Sequence, residues 1–396
     1  MKVTVASEER FDRTPDGKIW AKVVSGYSVW RSYLEIFSDV SVLARIRDVP
    51  SIPYNQYRAD GEGTSFIPLK HFIGPEQFLW NLKEIKRAIR SAYSEKSALI
   101  AALPSAIGTL LLREFEKQEH PYGVRVVGDP KTLFKTGAIE HPMRPFFGWW
   151  YTKNMKHYCV EACAASYVTE RILQDKYPCP NAVFHYSDLN LLSEEFASGP
   201  RSEFQYDQTL TIVFVGSLAQ LYKAPEVLID AVSVCFGKGL DIQLIMIGDG
   251  KHKQELELRA STLGLARRVK FLGQLQRNEV LSILDHADLF VLPSRTEGLP
   301  RAIIEAMARG LPCIGSNVGG IPELLPLDDT VPPGDTLALA SKIQEIATDH
   351  QRMVRMSIRN LEKAKNYSAD LMHENQLEFF RCVKDITASW QMNLGR

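Results

Sequence analysis

The chain has 396 residues, of which 45% are hydrophobic and 24% are charged. These values are typical of globular proteins and argue against a disordered or fibrous one, and at about 150 residues per domain the length predicts two or three domains. Lys+Arg and Asp+Glu both number 47, so the formal net charge is +0. This balance disfavours a nucleic-acid coat protein, which needs a basic face, but it allows a local basic patch.

Cysteine usage and apolar runs indicate the compartment. The six cysteines are dilute and none are spaced as C-x-x-C, which predicts reduced thiols in a cytoplasmic protein. Residues 2–7 read as a strand rather than as a secretory signal. The longest apolar run, 98–112, is interrupted by Pro104 and is shorter than the roughly 20 residues that a bilayer needs. We therefore expect no membrane span, and association with the inner face of the plasma membrane stays open.

The first half of the chain alternates strand-like and helix-like segments. Helical spacing of apolar residues predicts helices over 18–37, 75–92 and 149–165. Short apolar runs predict strands over 2–7, 40–46, 98–103, 124–128, 166–170 and 183–186. The segment 193–209 is polar and aperiodic and contains a Gly-Pro pair, which is typical of a linker. We therefore predict a first domain over 1–203.

The second half alternates more regularly. Strands are predicted over 211–216, 242–248, 269–273, 288–293 and 312–316. Helices are predicted over 225–236, 251–263, 278–285 and 300–309. Such alternation with short connections predicts parallel strands and right-handed crossovers. Residues 209–368 should therefore form a doubly wound α/β sheet, and the first domain is expected to form another. Ligands of such sheets bind beyond the carboxyl ends of the strands.

The loop after the fourth of these strands carries the clearest chemical signal. Pro300 suits the first turn of a helix, so the amides of Arg301 and Ala302 and the positive end of the helix dipole can bind phosphate. Glu297 precedes this helix and Glu305 lies within it. Carboxylates there can accept hydrogen bonds from hydroxyls, so the pattern predicts a nucleotide-sugar. Alternatively, Glu297 compensates the dipole and Glu305 is a solvated helix residue.

The same stretch resembles the retaining family-4 (group 1) glycosyltransferases, whose fold is called GT-B. Their signature is a Glu, seven residues, a second Glu, Ala-Met-Ala and a Gly-Gly-x-x-Glu turn. Here it reads Glu297, Glu305, Ala306-Met307-Ala308 and Gly319-Gly320-Ile321-Pro322-Glu323. The resemblance covers about 209–326, and the VRVVGDP and HPMRPFF segments are similar to bacterial exopolysaccharide-building members. It implies two Rossmann-like doubly wound parallel-sheet domains facing a cleft, with a helix at 369–396 returning to the first domain.

The resemblance also implies residue roles. Glu305 would accept the two ribose hydroxyls, Glu297 would hold hydroxyls of the transferred sugar, and Lys223 would neutralise the diphosphate. The family usually has an Arg where this chain has Ser217, and we hypothesise that Arg295 replaces it. The other predicted donor-binding positions are Gly216, Gly248, Gly273, Gln274, Gly298, Leu299, Arg301 and Ala302. For the GDG sequence at 248–250 a plain tight turn is an equally good explanation.

Acceptor binding is assigned by the resemblance to the first domain. Asp129, at the end of a predicted strand, is a candidate catalytic residue near the sugar, and a routine turn residue before Pro is an equally weighted alternative. Gly17, His185 and Arg144 are candidate acceptor-side residues, although a plain turn explains Gly17 somewhat better and a lone histidine such as His185 is more often structural than catalytic. The aromatic and cationic segment 141–158 suits a membrane interface or a lipid-diphosphate acceptor, or else a core-facing helix with cations at its surface.

The implied reaction is hexosyl transfer, with retention, from a nucleotide diphosphate sugar to a hydroxyl of a glycan that can be lipid-linked, in cell-surface or exopolysaccharide synthesis. Since the family uses cations and helix amides to stabilise the leaving diphosphate, we expect no metal and no cofactor beyond the co-substrate. Two alternatives remain, a sugar-nucleotide epimerase of the same fold and a non-catalytic nucleotide- or glycan-binding partner in a polysaccharide assembly.

Overall fold

The structure is a computed structural model that describes residues 1–21, 26–52, 56–134, 143–189, 191–204 and 209–394. The chain divides into two compact units. Unit 1 consists of Met1–Pro130, Trp149–Tyr186 and His373–Arg396, and unit 2 consists of Lys131–Gly148 and Ser187–Met372.

Unit 1 is built on a sheet that has nine strands in its described part. They are β1 (Lys2–Arg13), β2 (Ile19–Ala21), β3 (Asp39–Asp48), β4 (Tyr57–Arg58), β5 (Thr64–Lys70), β6 (Ser97–Leu103), β7 (Gly123–Val126), β8 (Ala164–Tyr167) and β9 (Ala182–His185). The order is β4-β2-β1-β6-β7-β8-β9, and β3 pairs with β1 and β5 beside this path. The described pairs are parallel except those that β2 makes with β1 and β4.

The helices of the first half lie between these strands in the sequence. They are α1 (Ser28–Leu34), α2 (Gly74–Ala92), α3 (Ala106–Glu116), α4 (Pro130–Leu133), α5 (Arg144–Glu161) and α6 (Ile172–Lys176). The apolar side of α2, which includes Ile85 and Ile89, and the side of α3 that includes Leu111 and Leu112 are buried in one hydrophobic core with β6 and β7.

The helix predicted over 18–37 is wrong in its first part. The first strand continues to Arg13 and turns back, with the Thr14 amide donating to the Lys18 carbonyl oxygen at 3.0 Å. Residues 19–21 then pair with β1, which buries Ile19 and Ala21. Sheet pairing and burial outweigh a helical spacing that extends over only a few residues here.

Unit 2 contains a parallel sheet whose described strands follow the order β12-β11-β10-β13-β14-β15. The strands are β10 (Leu210–Val215), β11 (Ile242–Ile247), β12 (Val269–Gly273), β13 (Leu289–Leu292), β14 (Cys313–Ser316) and β15 (Thr330–Val331). The five predicted strands of this half lie within one residue of the observed bounds. β13 and β14 are buried on both faces, and strands of this kind have few polar residues. Their short apolar runs therefore allowed them to be predicted from the sequence.

Eight α-helices belong to the second half of the described chain, and the last of them continues into unit 1. They are α7 (Pro225–Gly237), α8 (Lys253–Thr262), α9 (Arg277–Asp285), α10 (Arg301–Ala308), α11 (Ile321–Leu324), α12 (Thr336–Ala347), α13 (His350–Lys365) and α14 (Ala369–Leu394). Short 3₁₀ helices occupy Ser193–Glu195, Leu221–Lys223 and Leu327–Asp329.

Part of the predicted linker is packed onto unit 2. The guanidinium of Arg201 donates from Nη2 to the Leu284 carbonyl oxygen at 2.7 Å and from Nη1 to that of Ala287. The backbone amide of Arg201 donates to Ser357 Oγ at 2.8 Å. The polar composition that predicted a linker therefore includes residues that anchor the segment.

The last helix packs within unit 1 from His373 onward. Phe380 is buried and its ring stacks on that of Tyr33 at 4.1 Å. A Cβ at Gly123 would approach Val383 Cγ2 within 2.6 Å, so the absence of a side chain on β7 lets the helix come close. Among the described helices, including this longest one, none has the length and apolarity to cross a membrane.

Candidate active site

The loops that follow β10 and β11 are fastened to each other through their backbones. The Leu218 amide donates to the Asp249 carbonyl oxygen at 2.9 Å, and the Gly248 amide donates to that of Gly273 at 2.8 Å. Gly248 has a φ of 137°, and a Cβ there would overlap the carbonyl oxygen of Gly216. The structure therefore brings the predicted positions Gly216, Gly248 and Gly273 together, and glycine at 248 allows the approach.

Lys223 and Glu297 form an ion pair beside these loops. Lys223 Nζ lies 3.0 Å from Glu297 Oε1, and Ser294 Oγ donates to the same oxygen at 2.7 Å. The side chains are only 14% and 8% exposed, respectively, so water screens the pair little. A Cβ at Gly216 would overlap Lys223 Cδ, so this glycine makes room for the lysine stem.

The Gly-Gly turn of the motif holds the loop that carries Glu297. Gly319 has a φ of 53°, and a Cβ there would overlap the carbonyl oxygen of Glu297. The Gly320 amide donates to the Gly298 carbonyl oxygen at 2.7 Å. The second half of the motif therefore sets the position of the first acid.

Helix α10 begins directly after this loop. Pro300 is its N-cap residue and makes no side-chain cap, so the amides of Arg301 and Ala302 have no acceptor within the helix. Leu299 is half-buried, and Arg301 is exposed. These two amides can bind one phosphate oxygen, with the positive helix end behind them.

Glu305 lies in the middle of α10 and faces Arg277. Arg277 Nη1 is 3.6 Å from Glu305 Oε1. Burial raises the pKa of Glu305, while the positive charges of Arg277 and Arg301 oppose that rise and the charge of Glu195 adds to it. The arginine therefore helps to keep this buried carboxyl ionised, the form that accepts hydrogen bonds from hydroxyls.

Arg277 is itself held by Glu195, a residue that sequence reasoning missed. Arg277 Nη2 donates to Glu195 Oε2 at 2.8 Å and its Nε donates to Oε1. The Leu192 amide donates to the same carboxylate at 2.8 Å. Burial alone would raise the pKa of Glu195, but these hydrogen bonds lower it overall. Since Glu195 and Arg277 are 82 positions apart in the sequence, no motif spacing could have indicated their contact.

The proposed substitute for the missing family arginine is already paired. The guanidinium of Arg295 forms an ion pair with Glu226 at the start of α7, and its Nη1 donates to the Leu221 carbonyl oxygen at 3.0 Å. Ser217 is exposed, and its Oγ accepts the Ala219 amide at 3.2 Å. Arg295 could therefore reach a diphosphate only after its pair with Glu226 opens.

The candidate residues outside unit 2 lie in different places. Asp129 is 7% exposed and accepts hydrogen bonds from Lys176 Nζ at 3.0 Å and Tyr177 Oη at 2.6 Å. Gly17, with a φ of 81°, lies in the turn between β1 and β2. His185 ends β9. The contacts of Asp129 join it to the end of α6. The positive φ of Gly17 fits a tight hairpin turn.

Two further predictions concern single surface positions and a helix. Gln274 is exposed immediately after β12, and Arg144 is the first residue of α5. On α5, Trp149 is 58% exposed and Lys153 Nζ lies 5.5 Å from the centre of its ring. Trp149 therefore does not face the core, contrary to the alternative that places these aromatics inside. Within the residues that the structure describes, no group of three His, Cys, Asp or Glu side chains could hold a metal ion.

Several known proteins and one family model are similar to this chain in sequence. Residues 209–349 match the family model of the "Glycosyl transferases group 1". Protein CapJ of Staphylococcus aureus is 25% identical over 346 residues, covering 87% of this chain and 86% of that protein. Over 81 residues, 20% of each chain, identity is 43% to the UDP-Gal:alpha-D-GlcNAc-diphosphoundecaprenol alpha-1,3-galactosyltransferase of Escherichia coli.

A solved structure resembles the whole chain. Sucrose-phosphate synthase (tll1590) from Thermosynechococcus elongatus superposes with a TM-score of 0.68 at 16% identity, covering 98% of this chain and 100% of that one. The predicted fold class, α/β of GT-B type with two parallel-sheet units, is confirmed. The family match of residues 209–349 and the sequence relatives support a glycosyltransferase of the group 1 type.

Proposed function

We propose that this protein transfers a hexosyl unit, with retention of configuration, from a nucleoside diphosphate sugar to a hydroxyl of a glycan in cell-surface or exopolysaccharide synthesis. The observation that carries the proposal is the grouping of Lys223, Glu297 and Glu305 around the free amides at the start of α10. The cation and the two amides can bind a diphosphate. The two carboxylates, one on each side of the diphosphate, can accept hydrogen bonds from hydroxyls.

Donor binding would rearrange the Lys223–Glu297 pair. When Lys223 Nζ turns to the diphosphate, Glu297 is left free to accept hydrogen bonds from hydroxyls of the sugar. Glu305, kept ionised with the help of Arg277, would accept both ribose hydroxyls. The Lys223–Glu297 pair thus keeps both side chains oriented towards each other beside the amides that would bind the donor.

The transfer needs little from the protein beyond electrostatics. The bond between the sugar C1 and the diphosphate oxygen breaks, and the acceptor oxygen forms the new bond to C1 from the same face. The acceptor proton passes to the departing phosphate oxygen, so no enzymic nucleophile is required. Lys223 and the amides of Arg301 and Ala302 would stabilise the negative charge of the leaving group, which we propose replaces a metal ion.

The similarity to the galactosyltransferase of Escherichia coli suggests which substrates to test. Its name specifies UDP-galactose and a diphosphoundecaprenol-linked sugar, so a uridine diphosphate sugar and a lipid-linked glycan are the substrates that we propose to test first. The exposed Phe146 and Trp149 beside Lys153 on α5 support contact with a membrane surface.

A second candidate, a non-catalytic nucleotide-binding partner, is favoured by one observation. Ser217 stands where the resembled family usually has an arginine, and Arg295 is occupied by Glu226. The diphosphate would then meet one lysine rather than two cations, which weakens leaving-group stabilisation but not nucleotide binding.

Two measurements test the proposal. The first is the thermal stabilisation of wild type, Glu305→Ala and the control Glu362→Ala by UDP, GDP, ADP and their sugars in EDTA. A nucleotide at 100 times its dissociation constant adds about 2.7 kcal/mol of stability. We expect one nucleotide to stabilise wild type and the control, whose Glu362 is exposed on α13, but not Glu305→Ala.

The second measurement analyses products by NMR with and without glycan acceptors. An α-linked product from an α-linked donor supports retention. A changed sugar nucleotide without acceptor would instead indicate an epimerase, and nucleotide binding without any product would favour the non-catalytic partner.

A further inference from the structure

One face of the unit 1 sheet changes character along its strands. The register pairs Arg10 of β1 with Arg45 of β3, and Arg45 with Leu69 of β5. Because side chains alternate between the two faces, Leu43, Arg45 and Arg47 lie on the same one. Leu43 and Leu69 are buried in the hydrophobic core. The same face that is apolar in the middle of the sheet is therefore basic at the carboxyl ends of its strands.

Four potentially cationic side chains belong to this basic end, which we call the arginine cluster: Arg10, Arg45, Arg47 and His71. Two of them have acidic partners, since Arg45 Nη2 lies 3.1 Å from Glu8 Oε2 and Arg47 Nε lies 2.8 Å from Asp12 Oδ1. Arg10 is exposed, and across the described ranges no acidic side chain lies within ion-pair distance of it. The cluster therefore has a net positive charge that centres on Arg10.

Glu8 has two neighbours, Arg45 of the cluster and the start of α3. Its Oε1 accepts the Ile107 amide at 3.0 Å and the Ser105 hydroxyl at 2.7 Å, at the start of α3. The carboxylate is thus shared between the helix start and Arg45. Arg45 is 13% exposed and is held in place, with its guanidinium carbon 4.6 Å from the ring centre of Phe72.

The field of the cluster is evident at His71. Burial lowers the pKa of His71, and the charges of Arg47, Arg10 and Arg45 lower it further, while Asp12 opposes them. The part of this lowering that comes from the three arginine charges, unlike the part that comes from burial, also favours a nearby anion. His71 therefore offers a probe of whatever negative group binds here.

We infer that the arginine cluster binds a phosphate group of the substrate that this protein glycosylates. Guanidinium groups match phosphate oxygens with paired N–H donors, and Arg45 and Arg47 are already oriented by Glu8 and Asp12. The cluster also lies at the carboxyl ends of parallel strands, where open sheets bind ligands. Assigning the phosphate to the acceptor rests on the proposed function, but the anion site itself does not.

The experiment follows the pKa of His71 by NMR in the full-length, histidine-labelled protein, with His71→Gln identifying the resonance. Inorganic pyrophosphate is the first probe, and an anion bound among the cluster should raise the pKa of His71 by about 1. In Arg10→Gln the pKa without pyrophosphate should already be higher than in wild type, and the rise caused by pyrophosphate should be smaller.

Arg13→Gln is the matched control. Arg13 lies on the same strand but the opposite face, and it pairs with Asp48 at 2.7 Å. We expect Arg13→Gln to leave unchanged both the pKa of His71 without pyrophosphate and the rise that pyrophosphate causes. Lys223→Met should also keep the full rise, which would show that the effect does not originate at the diphosphate site of unit 2.

Two further probes distinguish the source of the phosphate. A polyprenyl diphosphate of short chain length and a hexose phosphate are titrated in the same way, and the one that acts at lower concentration identifies the acceptor class. If neither probe nor pyrophosphate raises the pKa of His71, or if Arg13→Gln reduces the rise as much as Arg10→Gln, the inference is overturned. Since no nucleotide is present, this result is independent of whether the donor proposal holds.

Discussion

Lys223 Nζ and Glu297 Oε1 lie 3.0 Å apart although 74 residues separate them in the chain. In unit 2 the lysine belongs to the loop after β10 and the glutamate to the loop after β13, and these two strands are neighbours in the sheet. Strand adjacency therefore brings together the two residues that we propose bind the diphosphate and the sugar of the donor. The pair also means that either partner, if removed, leaves the other charge poorly compensated.

Replacing Lys223 tests its role at the diphosphate. We expect Lys223→Met to reduce kcat/KM by about 10²–10³, because one preorganised donor to the leaving group is lost. Steady-state kinetics with the donor identified by thermal shift measures the effect. Lys238→Met, which removes an exposed lysine at the end of α7, should be neutral. Equal kcat/KM in both variants would contradict the assignment.

The contact between Arg277 and Glu305 predicts a pH dependence of nucleotide binding. In the role that we propose, ionised Glu305 accepts the ribose hydroxyls, so nucleotide binding should weaken as pH falls through the raised pKa of Glu305. Arg277→Leu removes a positive charge, raises that pKa further and shifts the loss of binding to higher pH. Calorimetric titration of the nucleotide between pH 5 and 8 measures this shift. An unshifted profile in Arg277→Leu would exclude the electrostatic role.

The contribution of Glu305 to folding stability depends on pH in the opposite direction from its contribution to nucleotide binding. A carboxyl whose pKa is raised by folding stabilises the folded state most below its unfolded pKa, and this contribution is lost as pH rises. We therefore compare the urea midpoint of Glu305→Gln with that of wild type at two pH values. The difference, variant minus wild type, should be more positive at pH 7.5 than at pH 4, while nucleotide binding weakens. If this difference were smaller at pH 7.5 than at pH 4, the pKa of Glu305 would not be raised by folding.

Gly248 predicts a backbone effect. A Cβ at this position would overlap the Gly216 carbonyl oxygen at a φ of 137°, so Gly248→Ala should cost about 3 kcal/mol or more of unfolding free energy. Gly264 has a φ of 75° with no atom within 4 Å of such a Cβ, and Gly264→Ala should cost about 1 kcal/mol. Urea unfolding compares them, and similar losses would argue against close loop packing.

Asp129 distinguishes a catalytic from a structural residue. Its carboxylate accepts hydrogen bonds from Lys176 and Tyr177, so Asp129→Asn should lower the unfolding free energy by about 1–3 kcal/mol. If the role is structural, kcat at a temperature where the variant is folded should stay within a few-fold of wild type. A large loss of kcat with unchanged stability would support the catalytic interpretation.

Local sequence was most informative where the polypeptide chain acts through its own neighbours. The strands β10 to β14 are short, largely apolar runs, and a Pro at 300 after a loop with Glu297 indicates a helix start without any knowledge of the fold. The motif that ends at Glu323 suggested the group 1 resemblance for the same reason. Its Gly319 is needed because the backbone of Glu297, only 22 positions earlier, approaches it closely. These features depend on interactions that the sequence displays side by side.

Long-range packing decided the remainder. The strand at 19–21 exists because β1 continues to Arg13 and offers it a partner, and the helical spacing of the same residues could not reveal that partner. Glu195 reaches Arg277, Arg295 reaches Glu226, and Arg10 joins Arg45 only after the chain has folded. Ionic contacts have no sequence periodicity, because a charged side chain binds whichever opposite charge the folded backbone brings within a few ångströms of it.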